Sequence, residues 1–343
     1  MQHLIRYAAL LLVLTILALG TRTAGAGSAP LKVAVTSPAV GWVVKFVGGD
    51  LVKVYYIVPP GVNPHTYEPP ERELLKTLVG VDAVFITGPA HLPVEAEVKK
   101  LVESGLLKAR LVSYVQYVEN GLKLLKNPLT GRVNPHGYFY SYTGLMAIAR
   151  ATYAELSSLD PAGAAYFRVR LTQCLRMLNN SLELLREEVP KGLGVGLTAP
   201  PLQYVAADLG LNVTFMLMPG VDYEVTQEDV ARLAAAVRSG SVKVMLVTDF
   251  IAAKYPKLLR IYSKLRIPYV IVPVSKLSSQ PQEILPTLAG ELLGLRARPS
   301  SGGGGADALS TFTLWASVAE AILVAILATL LISWRRVVKG AGR

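Results

Sequence analysis

The chain has 343 residues, is 52% apolar and carries a formal net charge of +11. Part of that charge sits in the terminal segments (Arg6, Arg22, Arg335, Arg336, Lys339, Arg343), so the body is only mildly basic, and no basic cluster is interleaved with stacking aromatics, which excludes nucleic acid as a partner. Cys174 stands alone and excludes an intramolecular disulfide, and a body of about 270 residues is long enough for two domains.

In chain order, residues 1–26 come first. Arg6 precedes an apolar run over 8–19, and Ala24 and Ala26 form an A-x-A site, the pattern of a secretory signal peptide. No cysteine lies near that site, so a lipid anchor is not expected there. Short apolar runs at 31–35, 52–57, 83–86 and 111–114, rich in Val, Ile and Tyr, predict buried strands. Helical patterns at 39–47, 71–78 and 93–104 lie between them. The second half repeats the alternation, with strands at 193–197, 213–217, 242–247 and 269–272 and helices at 202–209, 227–238, 254–264 and 283–293. Strand–helix alternation gives parallel sheets covered on both faces. The expected fold class is therefore α/β in two lobes, residues 30–158 and 191–297.

Residues 159–190 between the lobes predict one long, rigid bridging helix. Asp160 caps it and Pro161 takes a first-turn position where no amide partner is lost. Leu171, Leu175, Leu178, Leu182 and Leu185 then form one apolar stripe, and Pro190 and Gly192 stop the helix. At 1.5 Å per residue its length is roughly 40 Å. Residues 298–310 are a Gly/Ser-rich linker. Residues 311–334 are apolar and long enough to span a bilayer, with Trp315 and Trp334 near the ends. The basic tail, 335–343, predicts a cytoplasmic C-terminus and an extracytoplasmic body. Glu320 inside that span is costly when charged and is expected to be neutral or paired, a candidate contact with a permease.

Two loops carry chemistry. Gly61-Val62-Asn63-Pro64-His65-Thr66-Tyr67-Glu68-Pro69 follows a strand, and Asn134-Pro135-His136-Gly137-Tyr138 precedes a helix expected over 141–158. Each places a histidine directly after a proline, which restrains the approaching chain. Imidazole is the commonest ligand of borderline metals, so the repetition points to a shared metal site. His91, the third histidine of the body, reads as surface or lobe-edge packing. Two imidazoles fall short of the three or four protein ligands usual for zinc. Asp249, beyond the carboxyl end of strand 242–247, is the candidate third ligand, with a helix cap before 250–259 as its alternative role. Asp222 and Glu224 read as solvated loop acids. Tyr67, Tyr138, Tyr140 and Tyr142 either line a pocket or pack between lobes. Because imidazole binds metal in its neutral form, affinity is expected to fall as pH drops through about 6.5. G-x-S-x-G, H-E-x-x-H, a phosphate-cradling Gly loop and a Walker motif are all missing from the sequence, which points to a binding protein and away from an enzyme.

These motifs resemble a known family. The 61–69 stretch, the 134–142 stretch, a helix closing in Leu159-Asp160-Pro161 and the long helix after it are similar to the periplasmic zinc- and manganese-binding proteins of metal ABC importers. Thr87-Gly88 with Glu95 beyond, and Gln203-Tyr204-Val205 through Gly210-Leu211, extend the likeness over residues 30–297. The resemblance implies two α/β lobes bridged by a long helix. It implies a divalent metal ion held between them as the transported ligand, zinc or manganese first and iron next. It further implies delivery to an ABC permease subunit at the membrane and, through it, an ATPase. His65 and His136 match the first two of the family's four ligands. The third falls on Ala199 and the fourth within 273–277, where Ser275 is the nearest polar match. Asn134 replaces an Asp and Tyr138 a Trp, and the His-rich loop of many zinc members is missing. These departures keep an alternative open: a membrane-anchored accessory protein, or a binder of a non-metal solute, that keeps the fold without full metal ligation.

Overall fold

Eight short strands build two sheets, each four-stranded and parallel throughout. They belong to a computed structural model that describes residues 29–297 apart from 60, 61, 63 and 89–91. The leader, the linker, the apolar segment 311–334 with Glu320, the basic tail and His91 lie outside the described residues. Among those described, no helix is long and apolar enough to cross a membrane.

The first sheet has the order β2-β1-β3-β4, with β1 Leu31–Val35, β2 Val52–Tyr56, β3 Ala83–Phe85 and β4 Arg110–Val112. Helices α1 (Pro38–Gly48), α2 (Glu71–Leu78) and α3 (Pro93–Glu103) make the crossovers. Pro38 and Pro93 open two of them at positions where an amide has no intrahelical partner. The second sheet repeats the plan as β6-β5-β7-β8, with β5 Gly194–Leu197, β6 Asn212–Met216, β7 Val244–Thr248 and β8 Tyr269–Val272. Its helices are α7 (Gln203–Asp208), α8 (Gln227–Arg238), α9 (Asp249–Lys254), α10 (Pro256–Lys264) and α11 (Ile284–Ala297). Every residue of β3, β5 and β7 is buried, as expected of central strands covered on both faces.

Between the sheets lie α4 (Tyr114–Glu119), α5 (Tyr142–Leu159) and the long α6 (Ala164–Glu188) of 25 residues. Asp160 caps a short 3-10 turn, Pro161–Gly163, that leads into α6, its carboxylate accepting from the Gly163 amide at 3.1 Å. Leu178 and Leu182 of the expected stripe are fully buried, and Cys174 and Phe167 share the buried face. The two sheets share one core. A single cluster of buried side chains runs from Val33 and Phe85 through Phe167 and Leu182 to Leu246 and Leu288, and two smaller clusters fill the outer faces.

Three local expectations are corrected. The strand expected over 111–114 ends at Val112, because Ser113 and Gln116 form a capping box that starts α4. The helix expected over 254–264 begins only at Pro256: Tyr255 breaks away with φ −125° and ψ 64°, since a residue before proline is barred from the helical region. The cap before Phe250 is Thr248, whose hydroxyl accepts from the Ile251 amide at 3.4 Å, so Asp249 is the first residue of α9 and not its cap.

Candidate metal site

All four strands of each sheet run in parallel, so the loops at their carboxyl ends gather on one side of each sheet, where open α/β sheets take their ligands. His65 lies in the loop leaving β2, Asp222 in the loop leaving β6, Asp249 just beyond β7 and Ser275 just beyond β8. Under the first sheet, Glu95 of α3 is completely buried and ties two of these loops down. Its carboxylate accepts from the Thr36 hydroxyl at 2.5 Å, from the Thr87 amide at 2.7 Å and from the Gly88 amide at 2.9 Å. Burial pushes its carboxyl upward, and these hydrogen bonds pull it back.

His136 is held by Asn134, which is 2% exposed and fully used. Its side-chain oxygen accepts from the His136 amide at 2.9 Å. Its side-chain nitrogen donates to the Pro200 carbonyl at 3.1 Å and to Gln203 Oε1 at 2.8 Å. Its backbone carbonyl accepts from the Tyr204 hydroxyl at 2.5 Å. The next residue, Gly137, has φ +83°, and a Cβ there would stand 1.9 Å from the Pro201 carbonyl oxygen. The N-P-H turn is thus pressed against the Pro200–Leu202 turn of the second half. Asn134 stands where the family carries Asp, and the amide explains itself: two of its contacts need a donor, which a carboxylate lacks.

Tyr138 and Tyr142 reach the second half, through the Tyr204 ring and Gln282, whereas Tyr67 packs on the outer cluster of the first sheet. Tyr138 is completely buried and donates to the Thr87 carbonyl at 2.6 Å, and Tyr142 donates to the Gln282 carbonyl at 2.5 Å.

His65 and His136 are both partly buried, and the charge of one is felt by the other. Burial, with the charge of His65 added, lowers His136 to about 4. Burial also lowers His65, opposed by the Asp222 carboxylate and assisted by the Lys254 ammonium. Both rings are therefore neutral near pH 7, the form that offers a lone pair to a metal. Proton competition at His136 accordingly sets in well below the 6.5 expected from an ordinary histidine.

The second half is less complete. Ala199 is buried and offers only a methyl group. The Ser275 amide donates to both oxygens of the Asp249 carboxylate, at 3.0 and 3.2 Å, the Lys276 amide to Oδ2 at 3.4 Å and the Phe250 amide to Oδ1 at 3.0 Å. Asp249 is therefore fixed beside Ser275, the position the resemblance gave for a fourth ligand, and it is near enough to the Tyr140 phenol to act on it. Yet among the described residues no three His, Cys, Asp or Glu side chains are grouped closely enough to hold a metal ion. The two histidines are brought together; Asp249 does not complete a three-ligand set with them in this conformation.

One residue near the site escaped the sequence reading. Asp222, expected to be a solvated loop acid, is exposed but acts on His65 and pairs with Lys254 Nζ at 2.5 Å. Nothing in Gly220-Val221-Asp222-Tyr223-Glu224 signals this, because the partner lies 32 residues on, at the end of α9.

Comparison with known proteins shows the family and the fold. Residues 33–276 match the family model described as zinc-uptake complex component A, periplasmic. The metal ABC transporter substrate-binding lipoprotein FimA of Streptococcus parasanguinis is 24% identical over 242 residues, 68% of this chain and 76% of its own. The manganese ABC transporter substrate-binding lipoprotein PsaA of Streptococcus mitis is 25% identical over 245 residues, covering 69% and 77%. Among solved structures, ZnuA superposes with a TM-score of 0.62 at 19% identity, over 77% of this chain and 98% of that one. FpvC of Pseudomonas aeruginosa in complex with Ni2+ superposes with a TM-score of 0.64 at 19% identity, over 79% and 99%. At these identities the structural likenesses speak for the fold.

Proposed function

We propose, from the premise that this chain belongs to the periplasmic zinc-uptake component A family, that it captures a divalent metal ion outside the cell and passes it to an ABC permease. Binding, not catalysis, is its activity, and the ion is cargo. The observation that carries the reading is the meeting of two N-P-H histidines from separate loops, each held neutral, with the His136 turn pressed against the Pro200–Leu202 turn of the second half. The His65 and His136 imidazoles supply the first two ligands. Asp249, already oriented by the loop after β8, is the carboxylate we assign as the third, with water filling the shell. Each of its oxygens already accepts two amide contacts, so ligation requires the carboxylate to release at least one of them. Zinc and manganese both suit such a nitrogen and oxygen set. Relatives named for manganese, and neighbours solved with zinc, nickel and manganese, support this ligand class.

The body is extracytoplasmic in this reading, with residues 311–334 as its single span, the tail 335–343 in the cytoplasm and an ATPase behind the permease. The leader and the basic tail support that topology. Protease added to intact cells should digest the body and leave a tag on the tail protected; a protected body overturns it.

A second reading has its own support. Ala199 offers no ligand, and no three-ligand group is assembled among the described residues. On that ground the chain would keep the fold as an anchored accessory protein or a binder of a non-metal solute. Calorimetric titration with Zn2+ and Mn2+ separates the two: metal capture requires one equivalent, lost on removing both histidines, and the accessory reading requires none.

A further inference from the structure

Asn212-Val213-Thr214 and Asn179-Asn180-Ser181 both read Asn-x-Ser/Thr, the acceptor pattern for an N-linked sugar, and the capture reading uses neither. The fold treats them differently. Asn179 lies in the middle of α6, where residues two apart do not face each other: Asn179 is exposed, Ser181 is partly buried, and the Asn179 amide donates to Glu183 Oε1 at 2.8 Å. Asn212 opens β6, the edge strand of the second sheet. Side chains two apart on a strand share a face, and Asn212 and Thr214 are both exposed on theirs. The Asn212 side-chain amide has no partner among the described residues. Amide and hydroxyl thus stand on one accessible face at Asn212, as an acceptor site requires, and on two different faces at Asn179.

Resting on the extracytoplasmic body of the capture reading, we propose that Asn212 is an N-glycosylation site and that Asn179 is not one. The donor is an oligosaccharide carried on a lipid phosphate. Asn212 Nδ2 bonds to the anomeric carbon of the sugar, the bond from that carbon to the phosphate oxygen breaks with its electron pair staying on the phosphate, and the amide loses one proton to solvent. In the folded chain the Thr214 hydroxyl donates to the Ser241 carbonyl at 2.7 Å, so transfer belongs to the emerging chain, before β6 is paired. β6 waits on a parallel pairing with β5, Val213 against Val195, whereas α6 closes on local contacts and withdraws Asn179 first. The folded molecule keeps room for the sugar. Asn212 is at the amino end of β6, about 13 Å of strand from the carboxyl end where the Asp222 loop leaves, so a glycan starts at the opposite end of the sheet from the candidate metal ligands. It also covers part of an open sheet edge, a template for pairing with another chain.

The test is glycopeptide mass spectrometry on the full-length chain purified from the membranes of its own cells, beside Thr214→Val and Thr214→Ser. The wild-type peptide holding Asn212 should carry a sugar chain, and the peptide holding Asn179 should be bare. Thr214→Val keeps the shape, removes the hydroxyl and should abolish the modification; Thr214→Ser keeps the hydroxyl and should retain it. The wild-type peptides alone decide the matter if a variant folds poorly. A bare Asn212 on a body that protease digests from outside intact cells overturns the proposal and leaves the topology standing. A sugar on Asn179, or one on Asn212 that survives Thr214→Val, overturns it as well. A body that protease does not reach overturns the topology, and this inference goes with it.

Discussion

His136 shows how much a single residue depends on its support. Its ring is neutral because it is buried beside another imidazole, and its backbone is fixed because Asn134 spends every polar atom on the turn. Asn134→Asp strips two donated bonds and buries a carboxylate with the His136 amide as its one donor and two oxygens, the Pro200 carbonyl and Gln203 Oε1, against it, and should cost about 2–4 kcal/mol of stability by denaturant unfolding. An unaltered midpoint contradicts that account. The depressed His136 also fixes a pH dependence. Its folded value lies below the ordinary 6.5, so the stability it contributes is present above about pH 6.5 and is lost as pH falls toward 4. The ring-proton NMR titration of His136, assigned by its loss in His136→Ala, should have a midpoint near 4; a midpoint near 6.5 shows that the ring is not buried in solution. The two histidines were legible in the sequence because each follows Asn-Pro, a pattern read without neighbours. Asp222 was not legible, because its significance lies entirely in Lys254 and His65, which only folding brings near.

At the scale of elements, strongly patterned segments were legible and the interruptions were not. The helices over 71–78 and 227–238 fall as read, the second because Thr226 and Asp229 form a capping box. The misreadings share a cause. Tyr114 has strand propensity, but the cap at Ser113 overrides it, and the periodicity across 254–264 hid a break that Pro256 enforces. Gly137 is where an element boundary becomes function. With φ +83° and the Pro201 carbonyl against it, no side chain fits without moving the turn that carries His136. Gly137→Ala should lower stability by about 2–4 kcal/mol and weaken metal binding with it. A variant as stable as wild type, binding normally, contradicts the close approach.

The whole molecule was read as two lobes on a rigid helix, and the two parallel sheets and the long helix are there. What periodicity cannot report is where one core ends and the next begins. Here the core is continuous across both sheets, and polar clamps reinforce it: Asp208 of the second half accepts from the Thr143 amide at 3.0 Å and hydroxyl at 2.6 Å at the start of α5, and its carbonyl accepts from Arg186 Nε at 2.5 Å. A shared core predicts one cooperative unfolding transition for the body, with far-UV dichroism and tyrosine fluorescence changing together. Two separated transitions indicate independently cored lobes. The proposed site draws its histidines from the first half and Asp249 from the second, so the central claim belongs to the whole molecule. Its most direct test is calorimetric titration of the purified chain with Zn2+ and Mn2+ at pH 7, beside the His65→Ala/His136→Ala double variant. Capture predicts one equivalent bound in the micromolar range or tighter and lost in the variant. No binding of either metal to the wild type, or binding that survives the loss of both histidines, contradicts it.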